Sequence, residues 1–391
     1  MRRKVTFLAI SILLVLTMVL AVGCGSKETA GNDTGQAEDS GKYTLAVVGP
    51  MTGDSASQGI QYQRAVQIAV DEINAKGGVG GKKLEFLVGD DQANPNQGLI
   101  VAQKFADNKD ILAIIGHNNS GVTLACLPTY QKAGLPVVSP TNTAIALTES
   151  GYDNFFRVIV RDDVYKQQFS EFAVKELGSK KPAVVWENTD YGKGGRDVIV
   201  AALEGMGVEV TGDLSYTPGT DRDFSAQITK LKGEGSDVVL YLGDYTNGAL
   251  FEKQAKTLGL KATFLGAGDV FHPDFIKIGD KDTEGAYILT AFDANNSDPA
   301  IKTFVDNYKS KYDEEPGEWA SHAYDTVMVI AKAIENGGTD RAKLIEAIRN
   351  IDYQGVSGHI KFDAKGDVSG KKIFPILVKD GKFTSYNATN F

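Results

Sequence analysis

Short apolar runs alternate with amphipathic helical stretches along most of this chain, and that alternation constrains the fold more than any other feature. Residues 43–49 form a continuous apolar run of strand length. A helix-period stretch follows, with Ala65, Ile68, Ala69 and Ile73 on one face, and it closes at Lys76-Gly77-Gly78. Residues 84–88 read as a strand, 96–108 as a helix and 111–115 as a strand, after which Leu124, Leu127 and Tyr130 mark a further helix face. Runs apolar on both sides lack the in–out pattern of a half-exposed strand. They call for a parallel sheet with helices over both faces.

The same logic resumes in the second half without any sequence repeat. Strands are expected at 155–159, 183–186, near 208–210, at 238–241 and at 263–265. Helices are expected at 163–177, after the 190–194 segment as far as 203, at 224–231 and at 248–258. The remainder offers a strand at 286–289, helices at 300–312, 319–335 and 341–348, and extended segments at 358–362 and 374–378. Those helices have too few strands to close a core alone, so the chain should cross back and complete both halves. A length of 391 residues accommodates two such lobes.

The first segment reads as a targeting signal. Arg2, Arg3 and Lys4 precede an apolar run over 5–22, then Gly23-Cys24. As a membrane span the run is borderline in length; as a signal peptide its regions are in order. Leu20-Ala21-Val22-Gly23-Cys24 resembles the lipobox of bacterial lipoproteins, which implies cleavage after residue 23, export, and a lipid on Cys24 as the only membrane attachment. Residues 24–41, rich in Gly, Ser, Thr, Asp and Glu, read as a flexible tether. The net charge of −9 argues against nucleic acid. Cys126 lies on an apolar helix face and reads as a small buried hydrophobe, and the four histidines show no metal-ligand spacing. No metal and no cofactor is expected.

Candidate site residues gather where strands end. Gly116-His117-Asn118-Asn119-Ser120 links a strand to a helix, and such a turn offers backbone N–H groups and the positive helix end to a carboxylate. Ser139-Pro140-Thr141-Asn142-Thr143 follows the next strand and adds hydroxyls to the same rim, where open α/β sheets bind ligands. Either turn alone reads equally as punctuation and an N-cap. In the second half Tyr191, Asp244, Tyr245 and Asp269 end strands, and Tyr324 comes from the returning segment. Neutral donors facing acids suit a zwitterion. The glycine clusters at 77–81 and 191–196 match neither a dinucleotide fingerprint nor a phosphate loop and read as turns. Asp90-Asp91 and Asp162-Asp163 read as strand-end and helix-start acids, and no catalytic constellation is found, so the protein is not read as an enzyme.

These motifs together resemble the branched-chain amino-acid (leucine/isoleucine/valine-type) solute-binding proteins of ABC importers. The likeness covers nearly all of 43–391 and rests on Val48-Gly49-Pro50-Met51-Thr52-Gly53, the Asp71 to Gly78 stretch, Gly116-His117 with Ser120, Pro140 to Thr143, Asp190-Tyr191-Gly192 and Ala323-Tyr324-Asp325. The resemblance implies a type I periplasmic-binding-protein fold: α/β, two doubly wound parallel-sheet lobes joined by a multi-strand hinge. Lobe 1 is expected from 42–160 plus 293–368, and lobe 2 from 161–292 plus 369–391. It implies that Ser120, Thr143 and the backbone at Thr141 hold an α-carboxylate, that Tyr191 closes over the ligand, that Asp269 takes the α-ammonium and that Tyr324 is a pocket tyrosine. Gln58 and Asp244 stand at or beside positions where the family carries tyrosines. Asn118 and Asn119 replace apolar or cysteine neighbours, which removes a family disulfide and makes the pocket more polar. The implied protein is an exported, lipid-anchored monomer that passes an amino acid to a membrane permease. A sensing receptor of the same fold that feeds a signalling partner is the alternative, and a secreted α/β enzyme is the remoter rival.

Overall fold

The computed structural model describes residues 41–391. The signal, the lipobox cysteine Cys24 and the tether lie outside the described residues, apart from Gly41 at the end of the tether. From its start the chain runs β1 (Lys42–Gly49), α1 (Ala56–Ala75), β2 (Lys83–Asp90), α2 (Pro95–Asp107), β3 (Ile111–Ile115), α3 (Ser120–Lys132), β4 (Val137–Ser139), α4 (Ala146–Glu149) and β5 (Phe155–Arg157). These five strands form one parallel sheet in the order β2-β1-β3-β4-β5. β3 is apolar and buried at every position, as a central strand covered on both faces must be.

After β5 the chain enters a second sheet through α5 (Asp162–Glu171), β6 (Pro182–Glu187), α6 (Asp190–Gly205), β7 (Gly212–Tyr216), α7 (Ser225–Glu234), β8 (Val238–Leu242), α8 (Tyr245–Leu258), β9 (Thr263–Gly266), α9 (Pro273–Gly279) and β10 (Tyr287–Thr290). It then returns as α10 (Pro299–Tyr312), α11 (Glu318–Gly337) and α12 (Arg341–Arg349), with α10 and α11 packed on α1. The hairpin β11 (Asp352–Gly355) and β12 (Gly358–Lys361) follows, β13 (Phe374–Lys379) adds antiparallel to β10, and β14 (Lys382–Ser385) adds antiparallel to β13. The second sheet reads β14-β13-β10-β9-β8-β6-β7. Its parallel part, β7-β6-β8-β9-β10, repeats the strand order of the first.

Two expectations are corrected. Residues 208–210 are not a strand; they are irregular backbone after the turn at 206–207, and pairing with β6 begins at Gly212. The glycine cluster at 191–196 is not a turn but the first part of α6. A Cβ on Gly192 would lie 1.9 Å from the Glu187 carbonyl oxygen, so glycine lets this helix start hard against the end of β6. Cys126 is buried and unpaired.

Each sheet reverses its strand order once, between β1 and β3 in the first and between β6 and β8 in the second. The crevice at such a switch point, beyond the carboxyl ends of the strands, is where an open α/β sheet leaves room for a ligand. The loops from both switch points line one shared cavity.

Candidate functional site

That cavity has a volume of about 320 Å³. From the first sheet come the loops after β1 and β2 and the turns after β3 and β4, and from the second the loops after β6, β7, β8 and β9.

The first wall is built around the start of α3. Asn119 sits at the N-cap position, yet its side chain makes no capping hydrogen bond, so the first N–H groups of α3 keep no side-chain partner. Asn119, Ser120, Gly121 and Val122 all face the cavity. The bland alternative, that Asn119 is there to cap, is therefore not what the geometry shows. The turn after β4 is stitched to this one. The Thr141 hydroxyl donates to the Asn118 carbonyl at 2.9 Å, the Asn142 amide donates to the same oxygen at 2.8 Å, and Thr123 donates to the Asn142 side chain at 2.6 Å. Thr141 reaches the cavity; Thr143 lies behind it, fully buried, its carbonyl accepting from the Asp162 N–H at 2.9 Å.

Beneath this wall a charge pair is sealed from water. His117 Nδ1 lies 2.7 Å from Asp91 and Nε2 lies 3.0 Å from the Tyr130 hydroxyl. Burial disfavours the imidazolium, but Asp91 and the neighbouring Cys126 outweigh it and raise the His117 pKa to about 9. The imidazolium and Asp91 carboxylate thus anchor the ligand-facing turn from below.

The second wall is acidic. Glu187 ends β6, almost wholly buried, and accepts from the Thr189 hydroxyl at 2.7 Å; burial, then the nearby Asp244 and Asp269 charges, push its pKa up to about 8. Asp269 lies in the turn after β9. Burial raises its pKa to about 6, while Tyr191 and the Lys166 charge pull the other way. Lys166 is fully buried behind the wall. Its ammonium donates to the Tyr191 hydroxyl at 3.0 Å, stands 4.8 Å from that ring centroid and lies 3.6 Å from Asp162. Asp162, expected as a helix-start acid, opens α5 with its carboxylate turned inward to this lysine. Asp244 faces the cavity but is committed locally: one oxygen accepts from the Thr246 and Asn247 N–H groups at 2.8 and 3.0 Å, the other from the Asn247 amide at 2.9 Å. It caps α8, and Thr189 caps α6 through the Gly192 N–H at 3.1 Å.

The two walls touch around the cavity. Gln58 spans them, accepting from the Asn118 amide at 3.2 Å and donating to the Asp269 carbonyl at 3.4 Å. Ser57 donates to Asp274 at 2.9 Å, and Arg222 pairs with Asp54. A Cβ on Gly121 would come within 2.8 Å of an Asp190 carboxylate oxygen, so α3 and α6 meet closely there.

Of the residues singled out from sequence, Ser120, Thr141, Asn119, Gln58, Tyr191, Asp244 and Asp269 line the cavity. Tyr324 does not. It sits on α11 with its hydroxyl donating to Glu72 on α1 at 2.7 Å and its ring against Phe304, so it is a packing group in the returning helices. Sequence reasoning missed Glu187, although it follows the apolar run 183–186 and so meets the same strand-end criterion as the others. It also missed Lys166 and the Asp91–His117 pair, whose partners are distant in the chain. Among the described residues no cluster of His, Cys, Asp and Glu could hold a metal.

Residues 42–379 match the family model described as periplasmic binding protein. The leucine-, isoleucine-, valine-, threonine- and alanine-binding protein of Pseudomonas aeruginosa is 32% identical over 325 residues, covering 83% of this chain and 86% of that one. A Leu/Ile/Val-binding protein of Rhizobium johnstonii is 33% identical over 348 residues, 88% and 93% of the two chains. Among solved structures, the leucine-binding protein LivK of Thermotoga maritima superposes with a TM-score of 0.83 at 30% identity, over 89% of this chain and 99% of that one. The substrate-binding protein LivJ of Streptococcus pneumoniae in complex with isoleucine gives 0.81 at 27% identity, over 88% and 97%.

Proposed function

This chain belongs to the family of periplasmic binding proteins, exported receptors that hold a solute rather than transform it, and from that premise we propose that it closes its two lobes on a small α-amino acid and delivers it to the permease of an ABC importer. One observation carries this: an uncapped helix N-terminus with hydroxyls stands on one wall, and buried carboxylates stand on the other. The α-carboxylate belongs at the α3 N–H groups with Ser120 and Thr141, where fixed dipoles stabilise it without a counter-ion. The α-ammonium belongs at Asp269. Tyr191, steadied by Lys166, covers the ligand from the second lobe.

Because each lobe supplies half of the charge complement, ligand stabilises the closed arrangement in which both halves are in reach. The lobes comprise 42–160 with 293–368, and 161–292 with 369–391. The mature protein is a monomer held to the membrane by lipid on Cys24. The test is a calorimetric and thermal-shift panel of the α-amino acids, followed for the best ligand by its carboxamide and its des-amino acid. Loss of binding on removing either charge is expected. A panel in which no α-amino acid binds, or a ligand that tolerates loss of its ammonium, overturns the reading.

A further inference from the structure

The two zwitterion sites use only part of the cavity. The rest of its lining is mainly polar: Gln58, Asn118, Glu187, Asn188, Thr189 and Asp190, against the small apolar groups of Ala93, Pro95, Val122 and Pro218. Among the described residues no lysine, arginine or histidine lines it. Asn118 and Asn119 each keep a buried side-chain oxygen without a hydrogen-bond partner, and Asn118 is at the same time bonded to Gln58. Glu187 is tied to the wall by the Thr189 hydroxyl and by the Asp244 backbone N–H. An aliphatic side chain placed among these groups would strip water from amides and a carboxyl while offering them nothing, and a buried polar group left unpaired costs more than a made hydrogen bond returns.

We propose that the solute's side chain is itself a hydrogen-bonding group (a hydroxyl, an amide or an ammonium) that donates to Asn118 and Gln58 and exchanges a hydrogen bond with Glu187, so that polar amino acids bind more tightly than aliphatic ones of the same shape. This rests on the amino-acid reading above and deepens it. The ammonium arm has its own signature. Glu187 faces Asp244 and Asp269, with Tyr216 and Tyr241 on the neighbouring strands, and its raised pKa keeps it protonated near neutral pH. A cationic side chain arriving beside it favours the carboxylate, so binding releases a proton.

The experiment is titration calorimetry on the unmodified protein near neutral pH, with two near-isosteric pairs, asparagine against leucine and threonine against valine, and with lysine and ornithine. Asparagine or threonine binding at least about ten-fold tighter than its aliphatic partner supports the proposal, since sites built for hydrogen bonds discriminate strongly against analogues that lack them. Lysine or ornithine as the tightest ligand also supports it, provided the apparent enthalpy varies with the buffer's ionisation enthalpy by about one proton released. Leucine and valine binding as tightly as their isosteres, with no basic amino acid tighter, overturns it while leaving the amino-acid reading intact. Failure of every amino acid overturns both.

Discussion

The two walls of the cavity are built on the same strand order and present opposite chemistry. In the first sheet the helix after the switch-point strand β3 starts uncapped, with Asn119 making no cap bond. In the second sheet the equivalent helices fill their own N-termini, α6 with Thr189 and α8 with Asp244. Each α-helix N-terminus is a partial positive charge. Left open it takes an anion; closed by a side chain of its own it does not, and the carboxylates around it then set the local sign. The supports beneath follow the same division. Under the neutral wall the charges are paired and sealed, His117 with Asp91, whereas under the acidic wall a single buried Lys166 moderates Asp162 and Asp269. The fold supplies two equivalent crevices, and capping decides what each can hold.

The largest effect should come from unsettling the neutral wall from beneath. Asp91→Asn removes the partner of a fully buried imidazolium and should cost on the order of 3 kcal/mol of stability, read by chemical denaturation. The pH dependence checks the sign. His117 has a raised folded pKa, so its contribution is full below its unfolded value near 6.5 and is lost as pH rises through about 9 in the wild type. Asp91→Asn should flatten that alkaline loss. An unchanged profile would mean that the pair carries no charge.

On the acidic wall, Asp269→Ala should weaken amino-acid binding by more than ten-fold, above ~1.4 kcal/mol. Wild-type affinity should also fall as pH drops through about 6, where Asp269 takes up a proton and ceases to attract an ammonium. An unchanged dissociation constant in the variant would remove Asp269 from the site. Ser120→Ala on the opposite wall deletes one neutral donor and leaves the α3 N–H groups in place. A loss of about 1 kcal/mol is expected, several-fold in affinity by calorimetry. Equal losses for Asp269→Ala and Ser120→Ala would contradict the asymmetry between the walls.

Much of this was legible because strand ends are marked by composition: apolar runs stop and Gly, Asn, Ser, Thr or Asp begins. That rule located the turns after β3, β4, β8 and β9. It failed where burial is one-sided or contacts are distant. β7, Gly-Asp-Leu-Ser-Tyr, is an edge strand with alternating exposure, so the apolar positions 208 and 210 just before it looked more strand-like. Tyr324 sits on a helix buried on nearly every side, and nothing in the sequence of such a helix says which neighbour one tyrosine meets. Lys166 four residues after Asp162 has the spacing of a surface ion pair; only the packing of α5 against α6 shows that it is buried beneath Tyr191.

The smallest effect tests capping most directly. Asp244 faces the cavity and lies in the acidic wall, and a reading by proximity alone would give it a share of the ligand's positive charge. Its hydrogen bonds say otherwise, because both oxygens are already occupied by groups at the start of α8. Asparagine is as good an N-cap as aspartate, so Asp244→Asn should keep the bonds from the Thr246 and Asn247 N–H groups and lose the charge together with the bond from the Asn247 amide. For an amino acid with a neutral side chain, the dissociation constant should then change by less than about two-fold, a few tenths of a kcal/mol. Removing this charge also lets Glu187, whose pKa Asp244 helps to raise, ionise more readily, which returns part of the lost negative charge to the wall. A ten-fold loss would show that Asp244 does hold the solute's cation, and that capping and binding are shared by one side chain on this wall.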